Sequence, residues 1–405
     1  MAVGWRKLPV NLAELCIDTT LRCGQSFRWR KSDDNVWSCA LHGRILSLRQ
    51  DSNHLHYRAT FPDSFEAPPT PPSSQPPSLD GPVQGDDDTE AMVKHYLNLE
   101  PNLTSLYEQW SSSDMNFKKR APKFTGVRIL KQDAWEALIG FICSSNNNII
   151  RISQMMEKLC IHYGPLIGHI DDKPFYDMPS PAALTAPMVE AHLRQLGFGY
   201  RAKYLYQTAV MVAQEHETGW LDSLRNPESP VLGRKAFDAG EMLPGGREGY
   251  RKAHEQLLAL QGVGPKVADC VCLMGLGWLE AVPVDTHIWQ IAQRDYKFGK
   301  GKYRSLTKAT YDAIGDCFRG LWGKEAGWAH SVLFSADLKT FSERLSVKFE
   351  DGQEVKDEEA AATISKNEVK VESVTTTRVK REFEDEKEVV AVDESRVAKK
   401  SKRRR

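Results

Sequence analysis

Lys266 and Asp285 are the two residues whose types and setting most invite chemistry. Both lie in Leu257–Tyr296, LLALQGVGPKVADCVCLMGLGWLEAVPVDTHIWQIAQRDY. A primary amine can attack an electrophilic carbon, and a carboxylate nearby can stabilise a developing sugar cation. An ordinary lysine, with a pKa of about 10.4, offers only about one free amine in 2,500 at pH 7. A nucleophilic lysine therefore needs a helix dipole or burial to favour its neutral form. Lys266 stands in the first turn of a helix that begins near Pro265, a residue suited to that position. Spacing alone favours the plainer reading of this lysine, a phosphate contact or a solvated charge. Asp285 follows the proline-bearing turn Val282-Pro283-Val284 and precedes a helical pattern, so it also reads as an N-cap worth about 1 kcal/mol. Capping and cation stabilisation are compatible, because the cap fixes the carboxylate. Its charge would, however, favour the protonated form of a neighbouring lysine.

These residues need elements to hold them. An apolar helix through Leu260 ends at Gln261-Gly262-Val263-Gly264, and a second helix follows. Two glycines around one apolar residue make a tight helix–hairpin–helix corner, whose amides and helix N-terminus suit a nucleic-acid phosphate. From about Lys131 to Leu338 the periodicity predicts helices over Trp135–Cys143, Asn148–Tyr163, Pro187–Leu196, Arg201–Glu217, Gly249–Leu260, Val267–Leu276, Thr286–Asp295, Tyr311–Leu321 and Ala326–Leu338. Residues 227–248 read as a Pro/Gly-bearing loop insertion. Residues 24–60 carry aromatic and β-branched stretches broken at Ser32–Asn35 and His42-Gly43, which predicts strands and hairpins. Residues 62–90 hold eight prolines and an Asp86-Asp87-Asp88 run, and 343–405 alternate charge blocks ending in Lys-Lys-Ser-Lys-Arg-Arg-Arg. Both are expected to be disordered. The expected division is thus 1–130, 131–342 and 343–405.

The 405 residues carry 54 Lys plus Arg and 54 Asp plus Glu, so any polyanion site must come from local clustering. Two runs offer it. Residues 117–131 have six basic residues and no acid; residues 294–308 have six and one Asp, with Tyr296, Phe298 and Tyr303 interleaved. No apolar run of the roughly 18 residues needed to span a membrane is present, and the N-terminus lacks an apolar signal core. The eight cysteines form no C-x-x-C pair, which argues against zinc ribbons and disulfide scaffolds and for a reducing compartment.

Lys266, Asp285 and the Gly262-Val263-Gly264 corner resemble the helix–hairpin–helix, Gly/Pro-rich-loop and aspartate motif of base-excision DNA glycosylases. Val-Ala-Asp-Cys (267–270), Val-Pro-Val-Asp-Thr-His (282–287), Cys-Ser-Ser-Asn-Asn-Asn (143–148), Gly-Tyr-Arg-Ala (199–202), Gly-Gln-Ser-Phe-Arg-Trp (24–29) and Gly-Trp-Ala-His-Ser-Val-Leu-Phe-Ser-Ala-Asp-Leu (327–338) narrow the resemblance to eukaryotic 8-oxoguanine DNA glycosylase/AP lyases. It spans about residues 1–342 apart from the two insertions.

That resemblance implies an α+β protein: an N-terminal antiparallel, TBP-like sheet domain before an all-helical helix–hairpin–helix glycosylase domain. It implies base flipping, attack of Lys266 on C1′, a Schiff base and β-elimination, with Asp285 stabilising the oxocarbenium-like transition state. Cys270 and Phe334 would sandwich the extruded base, with Pro283 in the same pocket. The Gly24 carbonyl would accept the N7–H that oxidised guanine has and guanine lacks, a contact that rejects the undamaged base. Asn146, Arg151 and Arg201 would bond the estranged cytosine, Tyr200 would wedge the stack, and Gly262, Gly264 and His287 would meet the DNA backbone. Taken singly, these positions read blandly: core residues, a turn glycine, a helix cap, surface charges. One position departs from the family. His330 stands where glutamine usually reads the base edge, and neutral imidazole presents its donor and acceptor in different geometry. Only Cys317 follows Asp285, so the four-cysteine iron–sulfur cluster usual in the endonuclease III and adenine-excising branches is not expected. The expected partner is double-stranded DNA containing an oxidised purine, with no metal, organic cofactor or membrane, and the expected state is a monomer. The basic terminus suggests the nucleus, and Arg6 and Lys7 without an acid in the first 13 residues leave a minor mitochondrial pool open. The alternatives are a glycosylase for another lesion, such as alkylated purines, and an inactive helix–hairpin–helix DNA-binding module.

Overall fold

The computed structural model describes residues 4–62, 88–299, 305–338 and 341. The charged tail, and the Pro-rich insertion apart from its ends, lie outside the described residues. The insertion ends earlier than the sequence suggested. Thr89 and Glu90 already belong to a helix, and Asp88 just before it pairs with Arg44 at 2.5 Å.

Five strands form one antiparallel sheet: β1 (Arg6–Pro9), β2 (Arg30–Lys31), β3 (Trp37–Leu41), β4 (Arg44–Gln50) and β5 (His54–Thr60), in the order β1-β5-β4-β3-β2. The β3–β4 hairpin turns on His42 and Gly43, both at positive φ (50° and 73°), the geometry that lets a two-residue turn follow the strand twist. A short helix α1 (Ile17–Thr20) links β1 to β2. Alternation along the strands sorts the side chains. Trp37, Cys39, Leu46, Leu48, Leu55 and Tyr57 bury one face against α2 (Thr89–Tyr96). On the other face Ala40 and Ile45 meet Ile167 and Phe175 of a second, two-stranded sheet, β6 (Leu166–Ile170) and β7 (Lys173–Tyr176). That hairpin departs from the expectation of helix throughout 131–342. It gives the larger sheet a second apolar cover.

The remaining helices are α3 (Leu103–Ser113), α4 (Met115–Arg120), α5 (Ala134–Cys143), α6 (Ile149–Tyr163), α7 (Val189–Gln195), α8 (Arg201–Val210), α9 (Trp220–Ser223), α10 (Glu248–Leu258), α11 (Pro265–Met274), α12 (Thr286–Asp295), α13 (Lys308–Trp322) and α14 (Ala326–Asp337). Helices α2, α3 and α4 lie inside the stretch that the sequence assigned to a β domain. All ten residues of α5 are buried, so it is the axial helix, with α11 and α8 packed along it. Side-chain caps fix the starts of several helices: Asp133 accepts from Glu136 N, Asn148 from Arg151 N, and Asp285 from Ile288 N. Buried polar links tie the sheet to the helices. Arg28 pairs with Glu136 of α5 at 2.6 Å, and the Gln25 carbonyl accepts from Gln132. The chain is therefore α+β, an antiparallel sheet followed by a helical region that carries the helix–hairpin–helix.

Candidate active site

Helix α11 begins with Pro265 after the extended Gly264, which places Lys266 in its first turn. The corner itself needs glycine at 262: its φ is +76°, and a Cβ there would come within 2.6 Å of the Tyr204 ring. Gly264 is different. Its φ is −99° and nothing lies within 4 Å of a Cβ, so this side of the corner is open. Helix α8 buttresses the hairpin from behind, through Tyr204 and through Thr208, whose hydroxyl donates to the Gln261 carbonyl at 2.8 Å.

The half-buried Lys266 amine donates to Ser144 Oγ at 3.3 Å and lies 5.1 Å from the Phe141 ring centre. One turn on, Cys270 is buried; burial pushes its thiol up to about 11, while the neighbouring Lys266 pulls the other way. It is thus an uncharged wall at neutral pH. Asp285 caps α12 through Ile288 N at 2.9 Å after the buried Val282-Pro283-Val284 stretch, so the cap orients its carboxylate. On α14, His330 is 4% exposed. Burial lowers its pKa to about 4 against the pull of Asp285 and of the Gly327 carbonyl, with Lys266 adding to the fall, so the ring is neutral at pH 7. The influence of both Lys266 and Asp285 on Cys270 and on His330 brings the four groups to one place. Phe334, one turn beyond His330 and half-buried, meets the ring of the exposed His287 edge-on at 6.2 Å.

An amine, a carboxylate, a neutral thiol and a neutral imidazole thus come together beside an open hairpin. An amine and a carboxylate so placed suit nucleophilic attack at an electrophilic sugar carbon. The comparisons with known proteins point the same way. Residues 7–138 match the model of the 8-oxoguanine DNA glycosylase N-terminal domain, and 139–313 match the HhH-GPD superfamily of base excision DNA repair proteins. The N-glycosylase/DNA lyase of Saccharomyces cerevisiae is 35% identical, aligned over 84% of this chain and 87% of its own. The chain belongs to the N-glycosylase/DNA lyase family. The Arabidopsis thaliana N-glycosylase/DNA lyase OGG1 is 32% identical over 82% of this chain and 80% of its own. A solved structure described as MBOgg1 in complex with a low affinity DNA ligand superposes with a TM-score of 0.62 at 25% identity, covering 82% of this chain and 94% of that one.

The remaining positions that the family resemblance singled out sit as follows. Gly24 has φ +81°, which strains any other residue, and a Cβ would press against Ile149 Cδ1 at 3.2 Å. Gln25 anchors this turn: it is 2% exposed, donates to the Thr20 and Arg128 carbonyls, and accepts from Leu130 N. Asn146, at φ +47° on the α5–α6 connection, and Arg151, in the first turn of α6, are exposed. Tyr200 is 48% exposed, and its hydroxyl donates to the Ser145 carbonyl at 3.1 Å. Arg201 departs from its expected exposure. It is 3% exposed, stacked 4.5 Å from the Tyr200 ring, and its guanidinium donates to the Ser145 and Asn146 carbonyls. Both bonds come from Nη2, and Nε has no partner, so the guanidinium keeps further donors.

The two basic runs are also less free than their composition suggested. Arg120 pairs with Asp295 and Asp337, Arg128 is 1% exposed and bound to Glu14, and Arg294 pairs with Asp295 and Asp337. Lys118, Lys119 and Lys297 are exposed, and residues 300–304 lie outside the described residues. Sequence reasoning gave no role to Ser144 or Phe141, which hold Lys266. Ser144 lay within the quoted Cys-Ser-Ser-Asn-Asn-Asn motif, where a hydroxyl at a helix end was the available signal; Phe141 gave none.

Proposed function

We propose that this chain is a bifunctional DNA glycosylase and abasic-site lyase that excises 8-oxoguanine opposite cytosine from duplex DNA. The convergence of Lys266, Asp285, Cys270 and His330 carries this reading. The damaged nucleotide turns out of the duplex, and its base enters between Cys270 and Phe334, with Pro283 behind. The Gly24 carbonyl accepts N7–H; guanine would set two acceptors face to face there. His330 presents one nitrogen to the base edge. As the N9–C1′ bond lengthens, Asp285 offsets the positive charge on the sugar. The free Lys266 amine bonds to C1′ as the base leaves, and sugar-ring opening gives the protonated imine. Loss of a C2′ proton then expels the 3′ phosphate. Tyr200 fills the gap in the stack, and Asn146, Arg151 and Arg201 take up the widowed cytosine. The open side of Gly264, Gly262 and the exposed His287 meet the backbone.

Borohydride reduction during turnover should trap one covalent protein–DNA adduct with the full-length protein and none with Lys266→Gln, by denaturing gel. An adduct with a folded Lys266→Gln protein would end the assignment. Duplexes with C, A, G or T opposite 8-oxoguanine, and one with an alkylated purine, test the substrate; equal excision of all would refute the specificity. The same reading takes the protein as a nuclear monomer, with 398–405 as the import signal. A fluorescent fusion lacking those residues should lose nuclear enrichment.

A further inference from the structure

Asp269 lies three residues after Lys266 on α11, but the base pocket makes no use of it. It is 2% exposed, and the groups around its carboxylate are a Tyr250 hydroxyl from α10 at 2.6 Å, a Tyr311 hydroxyl from α13 at 2.5 Å, and His254 Nε2 at 3.6 Å. Burial and the Asp269 charge hold both phenols protonated. Having donated its proton, the Tyr311 oxygen accepts from Val284 N at 3.3 Å. Val284 directly precedes Asp285 and follows Pro283, which has no N–H to give. A chain of bonds thus runs from the helix that bears Lys266, through Asp269 and Tyr311, to the backbone that bears Asp285.

We propose that Tyr311 is a positioning residue for Asp285, locked in place by Asp269. This rests on the reading of Asp285 as the group that supports base release. A buried carboxylate deprived of one of its two phenols is poorly solvated, so Tyr311 is not free to turn away. The Val284 N–H therefore meets a fixed acceptor, and Asp285 enters its cap from a fixed backbone direction. Tyr250 binds the same carboxylate with no recorded bond to the 282–285 stretch, which makes it a matched control.

The test uses the full chain with Tyr311→Phe, Tyr250→Phe and Asp285→Asn. Excision of 8-oxoguanine is followed in single turnover, and cleavage of DNA with a preformed abasic site is followed separately. Displacing a reacting group slightly can cost tenfold or more in rate. Tyr311→Phe should slow excision by about tenfold while abasic-site cleavage, which needs no base release, stays within about twofold. Tyr250→Phe should lower the melting temperature similarly and leave both rates within about twofold. Wild-type excision by Tyr311→Phe, equal loss in both assays, or equal loss in Tyr250→Phe would each overturn the proposal. If Asp285→Asn excises normally, the reading beneath it fails as well; if Asp285→Asn is impaired and Tyr311→Phe is not, only the positioning link fails.

Discussion

Replacing His330 by glutamine tests whether this imidazole is held neutral inside the protein. The ring is 4% exposed, and burial lowers its pKa from 6.5 to about 4. An unfolded chain takes up the proton near pH 6.5, and the folded chain refuses it until about pH 4. The stability is therefore intact above pH 6.5 and is lost as the pH falls from 6.5 to 4. For one site with these values the loss is about 2 kcal/mol between pH 7 and pH 5 and about 3 kcal/mol by pH 4. Glutamine keeps a polar side chain without titrating. Urea unfolding followed by circular dichroism at pH 7, 6, 5 and 4 should show the wild type losing that much more than His330→Gln. His95, also lowered to about 4 by burial, is common to both proteins and cancels in the difference. Parallel stability curves for the two proteins across the range would refute the reasoning.

Gly262→Ala forces a positive φ on alanine and a methyl against Tyr204, which should cost about 1–3 kcal/mol in urea unfolding and weaken duplex binding. Unchanged affinity in a fluorescence anisotropy titration would remove the hairpin from the DNA interface. Glu280→Ala leaves Arg247 buried without the carboxylate that holds it at 2.8 and 2.9 Å, and should cost about 3–5 kcal/mol in the same unfolding assay. A smaller loss would mean that Glu228, also 2.8 Å from Arg247, suffices.

The setting of Lys266 and Asp285, the proposed catalytic pair, was legible because it is local. Pro265 marks a helix start, Gly262 and Gly264 mark the corner, and Asp285 marks a cap, so positions followed from neighbours in sequence. The β3–β4 hairpin was legible for the same reason, since His42-Gly43 sits between apolar alternations. The β6–β7 hairpin was not. It turns at Asp171-Asp172, both at positive φ (48° and 59°) without a glycine, and carries Pro174 inside a strand. The larger sheet, which it covers, decides its existence. The burial of Arg128 and Arg201 was not legible, because residue type speaks for exposure and their burial rests on carbonyls more than 25 residues distant. The Tyr250–Asp269–Tyr311 cluster gave no signal at all, since its members come from three helices.

The connection from α5 to α6 meets three of the candidate site residues, Lys266, Tyr200 and Arg201, in five residues. Ser144 holds Lys266; the Ser145 carbonyl accepts from Tyr200 and Arg201; the Asn146 carbonyl accepts from Arg201; Asn147 donates to Cys143 O; and Asn148 caps α6. Both Arg201 bonds come from Nη2, and the buried Nε has no partner, so these carbonyls fix the guanidinium while leaving it donors for an incoming base. The side chain is thus ordered before any ligand arrives, and little of its rotamer freedom remains to be lost on binding. Arg151, exposed and with only a 3.5 Å contact to the Gly197 carbonyl, still has that freedom to lose. In the cytosine contact proposed for both, Arg201 is the preorganised donor and Arg151 the one that must be ordered.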